Sequence, residues 1–410
     1  MTALKKTQIA ISVALLTTTT VHAEERGYIT ESGINILPLL EVAFSYDDNL
    51  GRYSNALDAE SSSIITAAPG VEIKSDRGGN SYSATYIIEN GYYTNSNDDN
   101  YLDHYFATNN FVRVNNRHGL GLNYTFSNQH ESRGTGVSAG DDISSAIKEP
   151  VKYDRHDANT TYVYGSDNAK GRVELTLDFE SLTYKNYREL TNIGGANVSA
   201  RFKDYAQYGA DLAFYYQYLP ATQLLVQVDH NRRKYDWNNP NTLQSQDYID
   251  SYYYLGATWD MTGKTTGKVR LGKQHKSYSD SNKDSFGGFS WDLELEWKPV
   301  KHSTVELSAS QRTQDSDQSF VDIKTHLLNV AWKHYWQEQI YSYVRSEFIR
   351  DEYSGDSQTD RILDSRFSLG YELTDTVELA ASWNLVDKNS TREANTYDQN
   401  VFSISANLLF

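Results

Sequence analysis

Asp154 and His156 are the two residues whose types and spacing come closest to a catalytic arrangement. Residues two apart share one face of an extended strand, so this carboxylate and imidazole could exchange protons during hydrolysis. Aspartate and histidine are equally ordinary on the polar face of a sheet. We therefore expect no enzyme and no catalytic residue, and keep an outer-membrane hydrolase only as an alternative.

Oxygen-rich clusters suggest a second kind of chemistry, the binding of calcium. Residues 280–284 resemble the start of a calcium loop, but Ser285 replaces the required glycine and Trp291 the bidentate glutamate. We therefore expect a solvated turn there, and predict no metal and no cofactor. Three further clusters fall in predicted loops: Asp47-Asp48-Asn49, Asp98-Asp99-Asn100 and Asp141-Asp142.

The composition limits the classes of protein that could carry these residues. The 410 residues include 54 acidic and 38 basic side chains, 32 tyrosines and no cysteine, and the mean hydropathy is −0.64. The absence of cysteine excludes disulfides, thiolate metal sites and a cysteine nucleophile. So polar a composition does not suit a helical membrane protein, and the acidic balance disfavours nucleic acid as a partner.

The N-terminal residues have the features of a secretory signal peptide. Lys5 and Lys6 precede an apolar stretch, Ile9–Leu16, and a small-x-small cleavage pattern at residues 21–23. The apolar stretch is too short to span a bilayer. We predict a signal peptide at 1–23, a periplasmic segment at 24–35 and a single folded domain at 36–410.

The remaining chain alternates between apolar and polar residues with a period of two, which predicts strands with one apolar face. Val173, Leu175, Leu177 and Phe179, for example, are separated by polar residues. Most segments exceed the roughly 9–11 residues that a tilted strand needs to cross a membrane. We predict an all-β fold, an antiparallel up-and-down transmembrane β-barrel of about 18 strands. The segments lie near 36–47, 62–74, 80–92, 101–115, 117–130, 151–164, 171–184, 202–218, 222–236, 247–260, 265–278, 286–298, 303–314, 321–336, 339–351, 359–374, 376–387 and 399–410.

Short and long connections alternate along the chain. Pro299–His302 is a tight turn, for example, whereas Glu131–Pro150 is a long polar loop. Outer-membrane barrels have this asymmetry, with short periplasmic turns and longer extracellular loops. We therefore predict an outer-membrane protein with both termini in the periplasm. The loop Glu131–Pro150, which contains three glycines, is predicted to fold inward and constrict the lumen.

The charged residues define the inner face, because a basic residue facing lipid costs about 2–4 kcal/mol at the bilayer midplane. A barrel of this size is wide enough for an aqueous channel. Tyrosines on the inner face would suit a saccharide, whose rings pack on aromatic faces, although tyrosine is also simply a good strand former. The predicted pore-lining residues are Arg113, Arg172, Glu174, Asp178, Asp211, Tyr215, Asp229, Arg233, Tyr252, Tyr254, Arg270, Asp292, Glu294, Arg345, Glu347, Asp364, Arg366 and Glu378.

The last strand carries a more specific signal. Phe402, Ile404, Leu408 and Phe410 fall on one apolar face, and the chain ends in phenylalanine. This pattern resembles the terminal strand that the outer-membrane barrel-assembly machinery recognises. We expect that machinery and the lipid of the outer membrane to be partners.

Several motifs resemble the family described as Putative beta-barrel porin 2. They are Tyr46-Asp47-Asp48-Asn49 at the end of the first strand, Pro69-Gly70 in the second, the tyrosine-rich segment Tyr82 to Tyr93, and Asp99 to His104. The resemblance is strongest over residues 36–130. It implies an outer-membrane route for an exopolysaccharide or capsular polysaccharide, with a periplasmic polysaccharide-export protein as a partner, and it implies no catalytic residue.

Export of a polysaccharide is therefore the leading functional hypothesis. The alternative is a general or solute-selective diffusion porin with small solutes in the lumen, because mixed-sign walls occur in such porins as well. The third is a surface-structural barrel.

Overall fold

The computed structural model describes residues 27–55, 58–166, 169–189, 191–193, 196–240, 243–261, 263–315, 322–355 and 357–409. The predicted signal peptide and Phe410 lie outside these residues. Within the predicted periplasmic segment, the short strand Tyr28–Ile29 pairs with Asn35 and Ile36.

The alternating segments form a single antiparallel sheet closed into a barrel, which confirms the predicted fold class. The sheet has 19 strands, of which one is the two-residue strand Tyr28–Ile29 and 18 make the wall. Each wall strand pairs with the next in sequence, and β1 pairs with β18 from Leu39↔Leu409 to Asp47↔Val401, which closes the barrel. The wall strands are β1 Asn35–Asp47, β2 Ser62–Arg77, β3 Asn80–Tyr93, β4 Tyr101–Arg113, β5 His118–Glu131, β6 Val151–Tyr164, β7 Gly171–Tyr184, β8 Tyr205–Leu219, β9 Thr222–Tyr235, β10 Tyr248–Met261, β11 Thr265–Tyr278, β12 Phe286–Val300, β13 Ser303–Asp315, β14 Asp322–Tyr335, β15 Ile340–Tyr353, β16 Thr359–Thr374, β17 Val377–Ser390 and β18 Tyr397–Leu409.

Because side chains alternate with a period of two, the two faces of each strand lie in different environments. In β11, Arg270, Gln274 and Lys276 are buried on the inner face, while Leu271 and Lys273 between them are exposed on the outer face. The outer face carries large exposed apolar side chains around the whole barrel, as a lipid-facing surface requires. Apolar side chains thus contact lipid, and polar side chains face the lumen.

The connections confirm the alternation of short and long links. Residues 78–79 form one of four two-residue turns, and Gly78 and Gly79 have φ angles of 63° and 83° there. Two consecutive positive φ angles match the right-handed twist of a two-residue hairpin and favour glycine. The described ends of the chain, near Gly27 and Leu409, lie at this turn end of the barrel, and the long loops lie at the other, the loop end.

Short elements that the alternation pattern does not predict occur in the long connections. The helix Asp141–Ala146 lies between β5 and β6, and a hairpin of Thr191–Ile193 and Ala196–Val198 lies between β7 and β8. Single 3₁₀ turns occupy Asn97–Asp99, Gly136–Ser138, Ala200–Lys203 and Glu393–Asn395. Among the described residues, no helix is long and apolar enough to cross a membrane.

Candidate functional site

The inner face of the barrel is the surface on which the polar side chains converge. Following the strand register around the closed sheet puts every one of the 18 predicted pore-lining residues on this face. The alternation of side chains between the two faces of each strand was sufficient to predict this placement, because one face of every strand must meet lipid. That these side chains line a conduction path stays a prediction.

The best-connected group of inner-face residues surrounds Arg270 of β11. Its guanidinium donates to both carboxylate oxygens of Asp292, with distances of 2.7 to 3.1 Å, and to Gln227 Oε1 at 2.9 Å. Gln227 in turn donates to Asp211 of β8. Arg270 and Asp292 are only 7% and 3% exposed. The network therefore connects four strands, β8, β9, β11 and β12, along the lumen.

A patch of aromatic and amide groups lies beside this network. The rings of Tyr252 and Tyr254 are stacked, with centroids 5.7 Å apart and an angle of 10° between their planes. Tyr254 packs against the guanidinium of Arg270 at 4.6 Å, and Tyr252 donates to Asp250 Oδ2 at 2.9 Å. Gln274 donates to both oxygens of Asp250. Flat rings and fixed hydrogen-bonding groups therefore stand side by side.

Nearer the loop end, tyrosines alternate with charged groups across several strands. Arg155 of β6 pairs with Asp157 and Glu180, and Glu180 also accepts from the hydroxyl of Tyr205. Arg233 packs over Tyr205 at 3.8 Å, and Lys276 packs over Tyr248 at 4.0 Å and pairs with Asp322 at 2.7 Å. We call these residues together the upper band: Arg155, Asp157, Glu180, Tyr205, Arg233, Tyr248, Lys276 and Asp322. The predicted pore-lining residues do not include Arg155, Asp157 and Glu180, although the same alternation places them on the inner face.

A second part of the inner wall, on β14 to β17, has its own polar clusters. Four charged residues come together there, because Arg345 faces Arg366 and Glu347 faces Asp364 in the register. The ion pair of Arg345, however, is with Glu347 of its own strand at 2.7 Å. Nearer the turns, the hydroxyl of Tyr335 donates to Glu372 at 2.6 Å.

The loop between β5 and β6 folds against the inner wall, in the direction predicted for Glu131–Pro150. Its buried residues Val137 and Ile147 pack with Tyr184 of the inner face. Glu131 accepts from the hydroxyl of Tyr184 and from the Val137 N–H. Next to this cluster, burial raises the pKa of the carboxyl of Asp204, which accepts from the Tyr184 N–H and the Arg188 guanidinium.

Arg133 anchors the same loop at the mouth of the barrel. Its guanidinium pairs with Asp99 at 2.9 Å and with Glu60 at 3.1 Å, and its carbonyl accepts from Arg52. These contacts tie the β5–β6 loop to the loops after β1 and β3. The Asp98-Asp99-Asn100 cluster thus provides an ion-pair partner for arginine.

The Asp47-Asp48-Asn49 motif fastens the seam between β1 and β18. Asp48 accepts from the Asn400 N–H at 2.7 Å and from its amide at 2.9 Å, and Asp47 accepts from Gln399 at 2.8 Å. Asn49 exchanges hydrogen bonds with the Tyr53 backbone and donates to the Asp398 carbonyl at 2.8 Å. The motif therefore has a structural explanation, namely closure of the barrel at its loop end.

The candidates for catalysis lie apart from the lumen. Asp154 and His156 do share a face, but it is the outer one, where Asp154 pairs with Lys185 and His156 meets the Tyr124 hydroxyl at 2.8 Å. A polar lumen position for this pair is therefore wrong. Residues 136–140 fit the Gly-x-Ser-x-Gly pattern of hydrolases. Ser138, however, is 1% exposed in a loop and donates to the Thr135 carbonyl.

The calcium-like segment 280–284 forms a turn in which Asp280 accepts from the Asn282 N–H at 2.9 Å. In the described part of the chain, no three histidine or acidic residues are grouped closely enough to hold a metal ion.

Comparison with known proteins supports the barrel architecture. The sequence profile of the family described as Putative beta-barrel porin 2 matches residues 34–410. A mutant of the ferric enterobactin receptor PfeA from Pseudomonas aeruginosa has a similar fold, with a TM-score of 0.50, 8% identity, and coverage of 92% of this chain and 80% of that one. OccAB4 from Acinetobacter baumannii is similar with a TM-score of 0.49, 12% identity and coverage of 95% and 99%. No curated protein matches the sequence.

Proposed function

Because the chain belongs to the Putative beta-barrel porin 2 family over residues 34–410, and is thus a porin-like β-barrel of the outer membrane, we propose that its lumen is the conduit through which a polysaccharide leaves the cell. The loop end then faces the outside and the turn end faces the periplasm. A periplasmic export protein would deliver the polymer to the turn end.

The observation that carries this proposal is the stacked pair Tyr252 and Tyr254 with its hydrogen-bonding neighbours. Aromatic faces pack against the apolar faces of sugar rings, while carboxylates and amides bond the hydroxyls. Asp250 and Gln274 lie within hydrogen-bonding distance of Tyr252, and Arg270 borders Tyr254. The patch thus offers both kinds of contact that a sugar needs.

The upper band supports the same proposal at a second level of the lumen. Tyr205 and Tyr248 lie toward the loop end, each beside a cation, Arg233 or Lys276. Conduction requires sites that are favourable enough to enter and weak enough to leave. Tyr205 and Tyr248 are only 6% and 7% exposed, which would limit a moving polymer to weak contacts with them.

Genetic deletion with complementation tests this function. Deletion should trap polymer in the periplasm, and the intact gene should restore it to the surface. Tyr252→Ala/Tyr254→Ala should restore less than about a tenth of it, if stacking on a sugar contributes as much as the roughly 1–3 kcal/mol per ring known for nucleic-acid bases. Tyr253→Ala is the matched control, since Tyr253 lies between them on the outer face and is 54% exposed. Normal surface polymer in the deletion strain would refute export.

A diffusion porin is the second candidate, and the mixed charges of the inner wall favour it. The same wall that holds Arg270 and Asp292 also holds Arg345 and Glu347. In this case the deletion would leave surface polymer unchanged and reduce uptake of small solutes. Steady ion conductance in planar bilayers that oligosaccharides fail to block would favour this candidate.

The remaining predictions concern export and assembly of the protein itself. We propose that residues 1–23 are a cleaved signal peptide and that the barrel-assembly machinery recognises the last strand. Phe402 and Ile404, two residues of the proposed recognition pattern, are 51% and 67% exposed on the outer face.

A further inference from the structure

A row of basic side chains crosses three neighbouring strands on the outer face, near the loop end. Arg350 of β15 lies directly opposite His326 of β14 and Arg361 of β16. Both arginines are exposed, and Lys324 lies one side-chain position nearer the loops. We call these four residues the basic row. Among the described residues, its ion pairing is limited to Arg350 with Glu352, at 2.8 Å.

An apolar row lies directly beneath the basic row. Leu328, Phe348 and Leu363 face one another on the same three strands and are 44%, 42% and 39% exposed. Two residues along a strand cover roughly 6.6 Å, so the surface changes from apolar to cationic within one side-chain position. A lipid molecule makes the same change where its acyl chains meet its headgroup.

The charges of the basic row are only partly balanced by Glu352, which pairs with Arg350 and lies opposite Lys324. Arg350 and Arg361 stand opposite each other, and like charges in this position destabilise a strand pair. The neighbouring acid on β17, Asp387, lies one position lower and accepts from the amide of Asn389. The whole chain has a net charge of −16, so a local excess of cations is not a general property of this surface.

We propose that the basic row binds the phosphate groups of a phosphorylated glycolipid in the outer leaflet, with its acyl chains against Leu328, Phe348 and Leu363. Arginine is suited to this role because its planar guanidinium binds phosphate through two hydrogen bonds at once. An anion between Arg350 and Arg361 would also remove their mutual repulsion. The assignment to the outer leaflet rests on the orientation given under the proposed function, whereas the lipid site itself does not.

Native mass spectrometry of the folded full-length protein in detergent, with added lipid A, tests the site. We expect Arg350→Gln/Arg361→Gln to retain lipid A at least tenfold less than the unsubstituted protein. Lys264→Gln/Lys301→Gln removes the same charge from turn-end residues that are also exposed, and should retain it normally. Heat-modifiable gel migration verifies that each variant is folded. Equal retention by both double variants would overturn the proposal.

Two further comparisons separate phosphate recognition from general lipid binding. Arg350→Lys/Arg361→Lys keeps the charge and should recover part of the binding, and lipid A without its phosphates should be retained at least tenfold less by the unsubstituted protein. Equal retention of dephosphorylated lipid A would also overturn the proposal. Orientation is tested separately with Asn282→Cys in the β11–β12 loop, since the chain has no other cysteine to react with an impermeant maleimide on intact cells.

Discussion

Single residues of the inner wall differ widely in how much they should contribute to stability. The Arg270–Asp292 pair is almost fully enclosed, with side chains 8% and 4% exposed, whereas the side chain of Arg345 in the Arg345–Glu347 pair is 33% exposed. Removing one partner of a buried pair leaves an uncompensated charge, but an exposed pair is screened by water. The two pairs therefore allow a matched comparison.

We predict that Asp292→Asn lowers the free energy of unfolding by about 3–5 kcal/mol, because Arg270 would lose its carboxylate partner in an enclosed site. Urea titration of the folded barrel in detergent measures the change. The control Arg345→Ala should cost less than about 1 kcal/mol. Equal losses for the two variants would show that Arg270 is solvated and would contradict the enclosed network.

At the level of the elements, closure of the barrel depends on residues outside the strand ladder. The β1–β18 pairing includes fewer residues than most neighbouring pairs, from Leu39↔Leu409 to Asp47↔Val401. Asn49, which is 4% exposed, continues it through side-chain bonds to the Tyr53 and Asp398 backbones. The motif therefore lengthens the seam.

We predict that Asn49→Ala lowers the free energy of unfolding by roughly 2–3 kcal/mol, since several buried backbone groups would lose their partner. The temperature at which the folded band disappears in heat-modifiable electrophoresis should fall accordingly. Asn389→Ala serves as the control, because Asn389 is exposed and its amide bonds only the nearby Asp387 among the described residues. An unchanged transition for Asn49→Ala would remove the seam role.

We predict that the β5–β6 loop limits the width of the mouth. Arg133 holds it to Asp99 and Glu60, so Arg133→Ala should free the loop and increase the single-channel conductance by roughly two-fold or less, as one constriction among several is relaxed. Planar bilayer recordings measure this. Arg117→Ala, in a turn at the other end, is the control. A conductance equal to that of the unsubstituted protein would show that the loop does not limit the pore.

For the molecule as a whole, the sign of the net charge in the lumen should decide whether cations or anions pass more easily. On the turn-side half of the inner face, acidic residues outnumber basic ones among those described, and Glu296 directly faces Glu306. The nine acids are Glu72, Asp76, Glu174, Asp260, Glu294, Glu296, Glu306, Glu372 and Glu378, and the eight bases are Lys74, Arg113, Arg172, Lys268, Arg270, Lys298, Lys333 and Arg345.

We predict a preference for cations on the order of a few-fold, because a wall with excess negative charge concentrates them. The reversal potential in a potassium chloride gradient gives the permeability ratio. Glu296→Gln/Glu306→Gln should reduce the ratio, while Asp154→Asn/Asp387→Asn should not, since those carboxylates lie on the outer face. Selectivity for anions would contradict the prediction.

The sequence by itself determined the number of strands, their approximate ends, the alternation of turns and loops, and the face on which each pore-lining residue lies. It could do so because lipid on one side and water on the other impose a period of two on every strand. The outward position of Asp154 and His156 was not predicted, because the alternation within β6 alone does not show which of its faces meets lipid.

Only the tertiary structure decided which inner-face residues meet. Arg270 and Asp292 are 22 positions apart, while Asn49 and Asp398 are separated by 349. The register across the closed sheet fixes such distances, and a period within one strand carries no information about it. The same holds for the β5–β6 loop, whose inward fold depends on buried contacts with Tyr184, and for the basic row, which exists only because three separate strands align at one height.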